Sequence, residues 1–313
     1  MSERPRGALD ARVRGHDRGG HASRPLALSF YFIQFVTGLA SACSLFLVAS
    51  GLSIIFGVTR IVNFAHGAFY MLGAFAAYIA LQTFGVNYWF ALLLAPLAVA
   101  LLGMIIERLF LRHLYRLDPL YGLLLTFGIA LIAEGIMRDQ FGASGKSYPV
   151  PELLRGVFDL GFMVLPIYRA WVVFASATVC GLTWFLIERT RLGATLRAAT
   201  ENAPLVQAFG INVPLIVMGT YGAGVALAAF AGVLAAPVVQ VSPLMGSSLV
   251  IVVFAVVVIG GMGSIVGAIV SGLVLGLIEG LTKVVYPEAS NIVVFVIMAV
   301  VLIWRPGGLF GRE

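Results

Sequence analysis

The residues most able to do chemistry crowd into one short run, Arg60-Ile-Val-Asn63-Phe-Ala-His66-Gly67, set between two long apolar stretches. Amide and imidazole groups are costly to desolvate unless they find partners, and lipid supplies none. Two uses fit the run. It is either a helix break beside a translocation pathway, with Asn63 and His66 satisfying freed backbone or touching solute, or a polar turn with Arg60 at the headgroups. A second cluster, Gly260-Gly261-Met262-Gly263-Ser264, is followed by Gly267, Ser271, Gly272, Gly276 and Gly280. Small residues at helical spacing let backbones approach closely in lipid, so a packing seam is expected along this helix. The dense start of the cluster is predicted to be a break between half-helices, mirroring the one near Asn63. Paired breaks in two halves point to an inverted repeat with a midplane path. The pathway candidates are therefore Asn63, His66, Gly67, Gly260, Gly261 and Gly263.

The acids argue against chemistry of another kind. Glu134 and Arg138 stand four residues apart, as do Glu279 and Lys283, so each pair shares a helix face and is expected to neutralise itself. An ion-coupled secondary transporter would instead want unpaired acids in the membrane. Glu107 and Arg108 are expected to anchor a helix end at the interface. Gly145-Lys146-Ser147 does not complete a phosphate loop, because Gln140 stands where the motif needs glycine. H-E-x-x-H and G-x-S-x-G are missing too, so no enzyme activity, metal or cofactor is expected, and any ATPase must be another chain. Cys43 and Cys180 each lie in an apolar stretch and are expected to be buried thiols.

The elements that must position these groups follow from composition. Of 313 residues 60% are hydrophobic and 11% charged, with a mean hydropathy of +1.01, which is an all-α polytopic membrane protein rather than a soluble domain. The apolar runs are continuous, which excludes the alternation of a membrane β-barrel. Nine stretches are predicted, at 27–57, 64–84, 86–106, 120–137, 170–187, 213–239, 247–261, 265–286 and 292–304. The 247–261 stretch is short for a crossing, and it and 64–84 are candidates for broken or re-entrant segments, giving eight or nine membrane helices.

Residues 1–25, with six arginines among glycines, form an expected disordered tail ahead of a single transmembrane domain at 26–311. The net charge of +6 sits in that tail and in short loops, not on a basic aromatic surface, so nucleic acid is excluded as a partner. Arg108, Arg112 and Arg116, then Arg189, Arg191 and Arg197, then Arg305 and Arg312 place three connections on the cytoplasmic side. The segment from Asp139 to Arg169 faces out. Nine crossings put the amino terminus outside, against the vote of its arginines. The 188–212 segment is amphiphilic, with Arg197, Glu201, Asn202 and Gln207 among small and apolar residues, and suits either docking of a soluble partner or simple connection.

Three stretches resemble the permeases of high-affinity branched-chain amino-acid ABC transporters. They are Gly51-Leu-Ser-Ile-Ile-Phe-Gly-Val-Thr-Arg-Ile-Val-Asn-Phe-Ala-His-Gly-Ala-Phe-Tyr-Met-Leu-Gly-Ala74, Glu107-Arg-Leu-Phe-Leu-Arg112 with Asp118-Pro119-Leu120, and Arg197-Ala-Ala-Thr-Glu-Asn202 to Phe209-Gly-Ile-Asn212. Gly267-Ala268 and the ending Arg305-Pro-Gly-Gly-Leu-Phe-Gly311 are also similar. The resemblance implies a multi-pass protein of the bacterial inner (plasma) membrane, working with a second homologous permease subunit, two cytoplasmic ABC ATPase subunits and a periplasmic or extracellular solute-binding protein. It implies that 193–210 is the coupling helix, with Arg197, Glu201, Asn202 and Gly210 serving the ATPase. It also strengthens the pathway role of Asn63 and His66. Ala203-Pro204 departs from the family's proline-then-acidic order. The implied cargo is a branched-chain amino acid, with urea or short amides as the alternative within the same architecture.

Overall fold

The computed structural model describes residues 23–115, 117–159 and 164–311, with side-chain surroundings from residue 34 onward apart from Asn291. Most of the expected tail, together with Arg116 and Arg312, lies outside these residues.

Among the described residues, eleven α-helices of six residues or more are numbered here in chain order: α1 (Ser23–Thr59), α2 (Ala65–Phe84), α3 (Tyr88–Ile106), α4 (Pro119–Phe141), α5 (Ile167–Arg189), α6 (Arg191–Glu201), α7 (Ala203–Ala208), α8 (Val213–Ala235), α9 (Met245–Gly260), α10 (Ile265–Val285) and α11 (Ser290–Trp304). Seven of them are long and apolar enough to cross a membrane, and Met245–Gly260 and Ile292–Trp304 are shorter apolar helices. Local chemistry sets the ends. Asp118 and Pro119 start α4, the carboxylate accepting from Leu120 N–H at 2.9 Å. Asn212 caps α8 through Leu215 N–H (3.2 Å), and Ser264 caps α10 through Gly267 N–H (3.1 Å). Beyond Ile106 the α3 helix continues through a π-turn, Glu107–Leu111, into a last turn at Arg112–Leu114.

Burial falls off from the centre. The crossing window of α1 is 72% buried, whereas that of α4 is 11% buried, so α1 is the axis and α4 a peripheral helix. Two quartets, α1–α4 and α8–α11, have matching partners. α1 packs on α10 as α8 packs on α3; α2 packs on α3 as α9 packs on α10; α2 meets α4 as α9 meets α11. The quartets join where α1 crosses α8 and α2 crosses α9. At each crossing two glycines face one another, Gly51 with Gly224 and Gly67 with Gly246, so that backbones touch. α1 runs toward the end that carries the arginine-rich connections, and α8 starts from it. The two quartets are thus inverted relative to one another.

The location of the second break is a correction. In the first quartet α1 and α2 are separated by the irregular run 60–64, and the counterpart between α8 and α9 is 236–244. Pro237 ends α8 at Ala235, short of the expected 239, because proline cannot continue the hydrogen-bond ladder. The chain is also interrupted at Gly260–Ser264, but by a tight turn between two antiparallel helices at the arginine end. Gly261 there has φ +97°, as Gly85 has φ +62° in the equivalent turn between α2 and α3. A glycine cluster and a proline-bounded apolar stretch both interrupt helices, and the glycines were the louder signal.

At the opposite end, 142–159 and 164–166 form a cover. Its described residues include a 3₁₀ turn, Glu152–Leu154, and two short antiparallel strands in which Val157 pairs with Pro166. A reciprocal backbone bridge ties Lys146 to Val241, at 2.8 and 2.9 Å, and so fastens the cover to the 236–244 break. Burial of Tyr148 in this cover pushes its hydroxyl up to about 12, so it stays neutral.

Candidate functional site

The chain leaves α1 at Arg60, a non-glycine residue with φ +54° whose N–H still bonds the Phe56 carbonyl at 2.8 Å. Such a conformation costs about 1–3 kcal/mol and persists where the surroundings impose it. The next four residues turn back into the interior. Ile61 lies against Gly122 of α4, and Phe64 N–H donates to Thr126 Oγ1 (3.2 Å), about 10 Å along α4 at 1.5 Å per residue. His66 Nε2 donates to the Val48 carbonyl at 2.9 Å, about 16 Å from the end of α1 by the same rise. α2 therefore begins deep in the apolar layer, and of its irregular lead-in Ile61 and Asn63 are buried while Val62 and Phe64 are half-buried.

The expected pathway residues divide into two groups. Asn63, His66 and Gly67 come together at this break, with Asn63 2% and His66 0% exposed. Asn63 Nδ2 donates to the Tyr221 hydroxyl of α8 at 3.0 Å. His66 Nδ1 and Asn63 Oδ1 have no hydrogen-bond partner among the described residues. In this conformation both side chains hold the break together instead of facing an open cavity. Replacing Tyr221 with Phe strands the Asn63 amide, and we expect a loss of about 1–2 kcal/mol. It would be read as a lower thermal transition of the solubilised protein; an unchanged transition would mean that the bond contributes nothing. Gly260, Gly261 and Gly263 lie elsewhere, at the arginine end. There the Ile259 and Gly260 carbonyls accept from Leu309 and Phe310 N–H at 2.8 and 3.1 Å, and Gly57 faces Gly263.

Glu107 is also placed differently from expectation. It is 2% exposed, on the π-turn, and accepts the Tyr115 hydroxyl at 2.8 Å. An anchor at the headgroups would be open to water. Both expected ion pairs are formed: Arg138 to Glu134 at 2.8 Å and Lys283 to Glu279 at 2.6 Å.

A cavity of about 540 Å³ lies at the end opposite the arginines, between α1, α5, α9, α10 and the 236–244 break. Ser41, Ser44, Arg169, Gln240, Glu279 and Lys283 line it, over a base that includes Leu45, Tyr70 and Val252. None of these was a pathway candidate. Glu279 and Lys283 were legible as a pair, but the cavity they border was not.

At the arginine end, α6 and α7 form an elbow outside the crossing helices. Gly193 lies directly on the Ile187 carbonyl oxygen of α5, with no room for a β-carbon. One turn on, Arg197 donates to the same carbonyl at 2.9 Å and approaches Glu188 at 3.6 Å. Asn202 Oδ1 accepts from Leu205 N–H (3.0 Å), capping α7, and Gly210 ends the elbow at φ +82°. Ala199 and Val206 are buried with Val213 of α8. Of the four residues expected to serve a partner, Arg197, Asn202 and Gly210 shape the elbow itself. Glu201 is exposed, as are Leu192, Leu205 and Phe209.

Inverted helical quartets around an internal break, with a polar cavity at one end and a braced elbow at the other, define a membrane transport subunit. The family model described as the permease component of the branched-chain amino acid transport system matches residues 34–302, and this chain belongs to that family. It is a multi-pass inner-membrane protein. The BraD permease protein of the high-affinity branched-chain amino acid transport system in Pseudomonas aeruginosa is 33% identical over 299 residues, covering 90% of this chain and 96% of that protein. The LivH permease protein of the corresponding system of Escherichia coli K12 is 29% identical over 300 residues, with the same coverage. The LivM permease protein of Salmonella typhimurium is 24% identical over 287 residues, 83% of this chain and 66% of that protein. No solved structure matches the chain.

Proposed function

We propose that this chain passes branched-chain amino acids or closely related small solutes inward as one of two permease subunits of an ATP-driven importer. Likeness to proteins named as LivH and as LivM supports a core of two related permeases. An outer solute-binding protein would deliver cargo over the cover that Lys146 ties to Val241, and two cytoplasmic ATPases would engage the elbow. The chain itself would supply no hydrolysis.

The observation that carries the ATP-driven reading is the bracing of α6. An amphipathic helix that only connected two crossings would have no need of a backbone-tight seat. Here Gly193 and Arg197 fix it to α5, while Leu192, Glu201, Leu205 and Phe209 face outward. A push on that surface is transmitted to α5 and, through Val206 and Val213, to α8.

The deciding experiment is reconstitution of the chain with its partner subunits and measurement of solute-stimulated ATPase and uptake against a panel of amino acids and amides. Uptake that needs an ion gradient and no ATP would overturn the reading. Within that system, Glu201→Lys is expected to uncouple hydrolysis from uptake while leaving insertion intact, since it reverses an exposed charge at the docking face. Unchanged uptake would remove the elbow from the coupling route.

A further inference from the structure

Pro237 strands a carbonyl at the end of α8. It has no N–H to give, and the Val238 and Val239 N–H groups both turn to the Ala235 carbonyl, each at 2.9 Å. Among the described residues the Leu234 carbonyl therefore finds no backbone donor. The Tyr168 hydroxyl, from the first turn of α5, donates to it instead at 2.8 Å, and both residues are buried. A hydroxyl carries one proton, so Tyr168 has none left for the Tyr88 hydroxyl 3.0 Å away, and Tyr88 is the donor of that pair. Tyr88 in turn accepts from Trp171 Nε1 at 3.2 Å. The donors are thereby ordered in one direction, from Trp171 through Tyr88 and Tyr168 to the end of α8.

We propose that the Tyr168 hydroxyl is a positioning group for transport, the contact through which α5 sets the place of the 236–244 break and with it the width of the cavity; this role rests on the importer reading. α5 belongs to neither quartet, and 22% of its crossing window is buried, so it can tilt without unpacking them. Both of its ends are fastened. About 28 Å from Tyr168, at 1.5 Å per residue, the Ile187 carbonyl seats Gly193 and Arg197 of the elbow. A displacement of α6 thus reaches Leu234 through one continuous helix. The cavity lies between the parts that would move: Arg169 and Val172 of α5 line it, as do Val238, Val239, Gln240 and Ser242 of the break. Val241 is held independently by Lys146 of the cover, so a pull on Leu234 bends the break at Pro237 instead of carrying it along.

The test uses the full chain with its partner subunits in proteoliposomes, with Cys43 and Cys180 replaced by alanine and spin labels on Ser41→Cys of α1 and Val239→Cys of the break. Both positions are exposed and line the cavity. The distance between the labels is measured without nucleotide and with ATP and vanadate, beside ATPase activity and leucine uptake. The reference protein should show a shift with nucleotide. Tyr168→Phe should lose the shift, and uptake should fall to near background while basal hydrolysis persists. Tyr88→Phe leaves the Tyr168 bond to Leu234 in place and should keep the shift. Pro237→Ala lets α8 run on and returns a backbone donor to the stranded carbonyl, so alone it should keep the shift. Combined with Tyr168→Phe it should restore thermal stability but not the shift, which separates positioning from simple satisfaction of a carbonyl. Where Tyr168→Phe alone fails to accumulate, that double variant decides. An unchanged shift in Tyr168→Phe, or a shift regained in the double variant, would overturn the inference. A reference distance that ignores nucleotide while ATP still drives uptake overturns it too and leaves the importer standing. Uptake that needs no ATP overturns the importer and this inference together.

Discussion

Gly73→Val should leave almost no folded protein in the membrane. Gly73 sits at the crossing of α2 and α8, where a β-carbon would come to 2.5 Å of the Ala229 Cα and closer still to its carbonyl oxygen. The reciprocal position, Gly232, meets the Tyr70 carbonyl in the same way. The obstacle is backbone on both sides, so no rotamer change relieves it and one helix must move. Both helices lie at the centre, and movement there opens contacts with α1 and α3 as well. We expect a cost above about 4 kcal/mol, a large part of the 5–15 kcal/mol that holds a typical native state together. The measurement is the amount of monodisperse protein extracted from membranes, compared with Gly128→Ala, where a β-carbon meets nothing within 4 Å. Equal yields would mean that the two helices do not cross so closely.

Gly193→Val should separate insertion from transport. The substitution cannot be accommodated while α6 stays on α5, because the new side chain would occupy the place of the Ile187 carbonyl oxygen. Lifting α6 also breaks the Arg197 bond to that carbonyl and the approach to Glu188. The elbow lies outside the crossing helices, so the membrane core is untouched and the protein should still accumulate. We expect solute uptake to fall to background while the partner ATPases keep their basal hydrolysis. Gly181→Ala, on α5 with nothing within 4 Å of the added carbon, should transport normally. Normal uptake by Gly193→Val would show that the elbow does not need its seat on α5, and the mechanical argument for coupling would fail.

Both predictions turn on glycines that look alike in sequence. Gly73, Gly128, Gly181 and Gly193 all stand in helical stretches among small or apolar neighbours, and only the fold tells a backbone crossing from an open face. The same ambiguity misdirected the reading of the second break. Gly260–Ser264 is an antiparallel turn, and the true counterpart of 60–64 is the proline-bounded 236–244. Nothing polar marks that segment apart from Gln240 and Ser242. It works through backbone geometry and through its bridge to Lys146.

By itself the sequence determined that the chain is helical and membrane-embedded, where most of its crossings lie, which end gathers the arginines, and that Asn63 and His66 sit at an interruption. These follow from one-dimensional quantities: the length of apolar runs, the cost of burying charge, and the spacing of caps and prolines. Tertiary structure alone decided that Asn63 and His66 point into the protein, that Glu107 is buried, and that Ser41, Arg169, Glu279 and Lys283 border one cavity. Those four residues span most of the chain, from α1 through α5 to α10. Hydropathy and helical period constrain each helix against lipid, but they carry no information about which helices meet, and a cavity exists only where they do.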